Sequence, residues 1–123
     1  MAVKKTFEPW SEKVEIVQKY IGKETSEDFI TLDSYFEGKE IDFIKADIEG
    51  AECDMLDGGI DTMKKISYAL ICLYHRYDDE KEILKRLENS NFETKINPRY
   101  VVIFEGNNPK QWVRHGVLNI RRY

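Results

Sequence analysis

The sequence predicts an α/β domain with a central parallel pair of strands and an antiparallel end, on three observations. Asp42 to Ile48 reads as a strand that ends in the turn Glu49-Gly50, and a helical stretch follows. Tyr68 to Tyr74 is a nearly continuous apolar run, the mark of a strand covered on both faces. Beyond the amphipathic stretch Asp78 to Asn89 the chain becomes β-rich, with turn residues between its strands. The length of 123 residues suits one domain.

Taken in order, the first dozen residues are polar and read as irregular, flexible chain. Val14 to Ile21 fits either period: Val14, Val17 and Ile21 have helical spacing, while Val14, Ile16 and Tyr20 alternate. Asp33 is placed to cap a short helix over Ser34-Tyr35-Phe36, with Gly38 ending it. Asp42 to Ile48 is the first clear strand, and a helix from Ala51 to Leu56 follows until Gly58-Gly59 breaks it. A second helical piece runs from Ile60 to Ile66, with Ile60, Met63 and Ile66 on one stripe. The best helix is Asp78 to Asn89, acidic at its start, basic at its end, with Ile83, Leu84 and Leu87 facing inward. Strands are expected at Phe92 to Ile96, Tyr100 to Phe104 and Val117 to Arg121, divided by Asn97-Pro98 and Gly106-Asn107-Asn108-Pro109.

Composition removes several functions. The apolar run Tyr68 to Tyr74 is too short to cross a bilayer, and no secretory leader follows Met1, so a cytoplasmic protein without membrane contact is expected. Cys53 and Cys72 lack CxxC spacing and read as reduced core thiols. The last 14 residues carry Lys110, Arg114, Arg121 and Arg122 and no acid; with a net charge of −4 overall, the rest carries −8. This basic tail reads as a strand with arginines offsetting an acidic surface, and the acidic balance argues against nucleic-acid binding.

In such sheets ligands sit at the carboxyl ends of the strands, which points to the turns after Asp47 and after Tyr74. The first turn, Asp47-Ile48-Glu49-Gly50-Ala51-Glu52, is dense in carboxylates. As strand residues Asp47 and Glu49 would share a face, while Glu49 and Glu52 also suit a helix N-terminus. An acid such as Asp47 in an otherwise apolar strand needs a reason to be there. The second turn carries His75, able to act as a base or a ligand, whereas His115 lacks comparable context. Asp47, Glu49 and His75 have donor atoms for a divalent cation, but their spacing is not diagnostic and no metal is assigned. The GxSxG, HExxH, Walker and GxGxxG patterns are absent.

These segments resemble the FkbM family of S-adenosylmethionine-dependent methyltransferases. The carrying residues are Thr31-Leu32-Asp33, then Ile41-Asp42-Phe43-Ile44-Lys45-Ala46-Asp47-Ile48-Glu49-Gly50-Ala51-Glu52, Leu56 with Gly58, and Leu73-Tyr74-His75-Arg76. Ala46 stands where the family commonly has isoleucine. The resemblance runs from Val14 onward and lacks the family's upstream glycine-rich loop. It implies a partial Rossmann-like class I methyltransferase sheet, of 4-5-7-6 type order with its N-terminal strands missing. It implies S-adenosylmethionine as cofactor, a small-molecule acceptor such as a sugar or natural-product hydroxyl, and O-methyl transfer. Asp47 and Asp33 are then expected on the cofactor side, Asp47 and His75 in catalysis, and Glu49, Glu52 and Arg76 on the acceptor side. Without the glycine loop, cofactor binding by this chain alone is expected to be poor, and a complementing N-terminal half or a homodimer is expected. The alternative is a non-enzymatic interaction module using the exposed edge of the Asp42 to Ile48 strand.

Overall fold

The computed structural model describes residues 2–103 and 113–123. Helix α1 (Ala2–Phe7) and a 3-10 turn over Glu8–Trp10 occupy the stretch expected to be irregular. The ambiguous segment resolves into extended chain that ends in β1 (Tyr20–Ile21), which pairs in parallel with β2 (Phe29–Ile30). Neither period wins there because Val17 and Tyr20 find nothing to bury against and stay exposed.

Helix α2 (Leu32–Tyr35) starts two residues earlier than predicted, because Thr31 and not Asp33 is its N-cap; the Thr31 hydroxyl oxygen accepts from the Ser34 N–H at 3.0 Å. Asp33 lies inside the helix and reaches across to another element. Its two carboxylate oxygens accept from the N–H groups of Thr62 (2.7 Å) and Asp61 (3.1 Å). These belong to α4 (Ile60–Met63), which follows β3 (Phe43–Ala46) and α3 (Glu52–Asp57). Between α3 and α4, Gly58 sits so close to Gly22 that an added Cβ would lie 2.3 Å from its carbonyl oxygen. The expected stripe on α4 is only partly buried: Met63 and Ile66 are in the core, but Ile60 faces solvent.

The rest of the chain builds the sheet. Strand β4 (Tyr68–Cys72) leads to helix α5 (Asp79–Leu87) and β5 (Phe92–Ile96). A hairpin of β6 (Tyr100–Val102) and β7 (Val113–His115) stands apart, and β8 (Val117–Arg122) returns to the sheet. Strand β7 lies in the basic tail that reads as a strand, but it is an element separate from the strand expected at Val117 to Arg121. Phe104 and the turn expected at residues 106–109 lie outside the described residues.

The main sheet has the order β3-β4-β8-β5, with β3 and β4 parallel and the other neighbours antiparallel. The register aligns Ile44, Ala69 and Ile120 in one row and Ala46, Ile71 and Leu118 in the next. All six side chains are buried and belong to one core with Met55 and Leu56 of α3, Met63 of α4, and Ile83 and Leu87 of α5. The opposite face is more open: Tyr68 and Leu70 are half-buried, Phe43 is exposed against the Tyr68 ring, and Tyr68 Oη donates to Asn119 Oδ1 at 2.6 Å. Strand β4 is therefore covered fully on one face, not on both as its apolar run suggested.

The carboxylate of Asp33 makes a testable contribution. Burial pushes its pKa up, but the N–H groups of Thr62 and Asp61 outweigh that and hold it below the usual value. Replacing it, Asp33→Ala, is expected to lower stability by about 1–2 kcal/mol near neutral pH, as for loss of a helix cap. A carboxyl with a lowered folded-state pKa stabilises fully above its unfolded value of about 3.9 and ceases to as pH falls through the folded value. Urea unfolding of both proteins should therefore show the gap narrowing below about pH 4.

Candidate functional site

Parallel pairing of β3 with β4 sets their carboxyl ends side by side, with Ala46 opposite Ile71. Asp47 emerges from β3, and Tyr74 and His75 follow β4. The chain then turns sharply after Asp47, with Glu49 at φ 57° and Gly50 at φ 92°, two successive left-handed residues. A Cβ on Gly50 would stand 3.0 Å from Arg76 Nε, so the exposed Arg76 side chain lies directly over this glycine. The turn closes on Glu52, whose Oε1 accepts from the Ile48 N–H at 3.0 Å.

His75 is the hub. Its side chain is only 8% exposed, with Nε2 3.2 Å from Asp47 Oδ1 and 3.9 Å from Glu49 Oε2. On the other side of the ring, Nδ1 is 2.9 Å from Glu52 Oε1 without the alignment of a hydrogen bond. Carboxylates thus flank both ring nitrogens. Tyr74 Oη donates to Asp47 Oδ1 at 2.9 Å, and the Tyr74 and His75 rings are 4.5 Å apart. Beneath, Asp79 is 2% exposed and its Oδ2 accepts from the Arg76 N–H at 2.6 Å, closing the turn that starts α5. From β7, Arg114 Nη1 donates to the carbonyl oxygens of Tyr74 (2.7 Å) and His75 (2.9 Å), holding the end of β4 in place.

Electrostatics separates the groups. The hydrogen bond from Tyr74 holds the Asp47 carboxyl below the usual range against a smaller effect of burial, so it is ionised near neutral pH. Bonding with Cys72, burial and the Asp47 carboxylate push the Tyr74 phenol well above its ordinary value. Burial raises the Cys72 thiol, which keeps it protonated and a poor nucleophile. Burial also pushes Asp79 up, opposed by the Arg76 N–H.

The structure brings Asp47, Glu49, Glu52, His75 and Arg76 into one neighbourhood, but with altered roles for three. Asp47 and Glu49 meet His75 through the left-handed turn, not through strand alternation. Glu52 is 0% exposed and lies under His75, so it cannot line an open acceptor surface as expected. Asp33 is not part of this cluster, since both its oxygens are engaged by the start of α4. Three contributors went unanticipated. Tyr74 read as the end of an apolar run, and Asp79 as one of several helix-start acids. Arg114 is 40 residues from Tyr74, a separation no local pattern bridges. His115, expected to lack context, pairs through Nδ1 with Glu80 and stacks on Tyr100. Both cysteines are unbridged, as expected.

The family model described as Methyltransferase FkbM domain matches residues 4–94, most of the chain. The chain belongs to the FkbM methyltransferase family. No curated protein and no solved structure matches it. The matched region of this FkbM domain contains every residue of the cluster except Arg114, and it stops within β5. No helix among the described residues is long and apolar enough to cross a membrane.

Tyr74→Phe tests the electrostatics of the cluster. Removing the phenol should cost about 1 kcal/mol, at the low end for a charged hydrogen bond because the Asp47 side chain is 38% exposed. The Asp47 carboxyl should titrate at higher pH in the variant, measured by carboxyl NMR. The stability gap should be present at neutral pH and vanish as pH falls through the lowered Asp47 value.

Proposed function

We propose that this FkbM domain carries the acceptor-side part of an S-adenosylmethionine-dependent O-methyltransferase site, acting on a hydroxyl of a small molecule. The observation that carries the reading is the ionised Asp47 carboxylate, 3.2 Å from His75 Nε2 where the two parallel strands end. The sheet order β3-β4-β8-β5 supports it, since it agrees with the 4-5-7-6 half of a class I methyltransferase sheet. A partly exposed carboxylate at this position also suits the cationic methionine end of the cofactor. When bound, S-adenosylmethionine supplies an electrophilic methyl group on a sulfonium.

The chain's own residues then do the positioning. Asp47 holds the acceptor hydroxyl or its proton, and the Tyr74 Oη fixes which carboxylate oxygen is left for it. The His75 ring, held between Asp47 and Glu52, sets the orientation of Asp47, which makes Glu52 a positioning residue. Glu49, with its side chain 92% exposed, and Arg76 over Gly50 form the open rim that meets the acceptor. Calorimetric titration of the chain with S-adenosylmethionine at high concentration should give weak binding, which Asp47→Asn weakens about tenfold further, as for a lost charged hydrogen bond. No heat from the wild-type chain at high concentration would remove the cofactor assignment.

A second reading has its own observation. Among the described residues β3 pairs only with β4, and Phe43 on that edge strand is exposed. Such an edge suits pairing with another chain, either a second copy or a complementing segment. Sedimentation across a concentration series should show self-association that Phe43→Lys weakens; a strictly monomeric wild type would rule out a homodimer.

A further inference from the structure

We propose that Glu52, His75 and Asp79 form a binding site for a divalent transition-metal ion, held through His75 Nδ1 and one oxygen of each carboxylate. The proposal is independent of methyl transfer. One ligand atom from each of the three residues falls within 4.8 Å of the others, and the Glu52 Oε1 to His75 Nδ1 distance is already 2.9 Å. Donors about 2.0–2.2 Å from a tetrahedral zinc ion are about 3.3 Å apart, so a small side-chain movement closes the set.

Two atoms point to a missing partner. Glu52 Oε2 and His75 Nδ1 are both buried and have no hydrogen-bond partner among the described residues. Glu52 is 0% exposed, and the His75 side chain 8%. Buried polar atoms in a folded protein are nearly always satisfied, and an unpartnered imidazole nitrogen beside a carboxylate that keeps one oxygen unpartnered calls for a ligand of both residues. A cation does this: it accepts both lone pairs, and its two positive charges balance the carboxylates of Glu52 and Asp79 in a site nearly closed to water.

The surroundings match a metal shell. Coordination through Nδ1 leaves the proton on Nε2, which faces Asp47 Oδ1 at 3.2 Å. That is the carboxylate–histidine–metal relay that orients a ligating imidazole and raises its basicity. The Ile48 N–H on Glu52 Oε1 and the Arg76 N–H on Asp79 Oδ2 anchor the two carboxylates in turn. One imidazole with two carboxylates suits zinc or manganese over the harder, all-oxygen ions. The ion would join the turn after β3 to the start of α5, and would leave Asp47 and Glu49, not His75, as the proton acceptors on the open side.

The test uses the full chain stripped with a chelator and titrated with Zn²⁺, read by calorimetry, thermal unfolding and the visible spectrum of the Co²⁺ form. One ion per chain is expected, with a raised melting temperature and a low-symmetry cobalt spectrum. Glu52→Gln keeps an acceptor for the Ile48 N–H, and it and Asp79→Asn should each weaken binding by more than tenfold. Asp47→Asn should weaken it about 10–100-fold through the lost relay. The exposed Asp61→Asn should change nothing. Should Glu52→Gln fail to fold, Asp79→Asn and His75→Gln decide. Absence of stoichiometric binding, or unchanged affinity in Asp79→Asn and His75→Gln, would overturn the site. Zinc binding without heat from S-adenosylmethionine would uphold this site while removing the cofactor assignment; the opposite pair would do the reverse.

Discussion

Everything at the site depends on the parallel hydrogen-bonded pairing of β3 with β4. It places Ala46 beside Ile71, and so brings two turns that are 27 residues apart to hydrogen-bond distance through Tyr74 and Asp47. A slip of one residue would reverse which side chains face the core, exposing Ile44 and Ala46 and burying Lys45. The buried rows Ile44–Ala69–Ile120 and Ala46–Ile71–Leu118 make that slip expensive, because each row loses its packing against α3 and α5 at once. Core packing thus fixes the register, and register fixes the distance between Asp47 and His75.

The turn after β3 illustrates how local conformation serves the cluster. Glu49 occupies a left-handed conformation that costs a side-chain-bearing residue about 1 kcal/mol or more. Glycine next to it permits the sharp reversal and the close approach of Arg76. The result delivers three carboxylates to one imidazole from a six-residue segment. Two of them stay near solvent, and the third is sealed below the ring.

Much of this was legible in the sequence. The α/β order, the parallel pair and both site-bearing turns follow from period and from the breaks at Gly50 and Gly58. Asp47 and His75 stand out because each interrupts an apolar strand at the end where ligands bind. What could not be read is direction and depth. Glu52 has the spacing of an ordinary helix-start acid, and only the tertiary fold puts it beneath His75. Asp33 has the spacing of a cap for its own helix, yet Thr31, two residues before it, does that and frees it for α4. Ile60 fits a helical stripe but sits where no element covers it. Arg114 acts across the sheet, and a basic tail carries no local mark of the carbonyl groups it will meet.

Strand β8 lies inside the sheet, between β4 and β5, although it is the last of the described strands in the chain. Its pairing with β4 joins Tyr68 to Arg121 and Cys72 to Val117, contacts separated by many residues. Such non-local closure slows folding, since the loop entropy is lost before the contacts form. During synthesis β3, β4 and their turns leave the ribosome well before β8 does. The cluster around His75 would then wait, half-framed, with the β4 flank open to other strands. The frame of the sheet around it is complete only with a segment that supplies none of the chemistry.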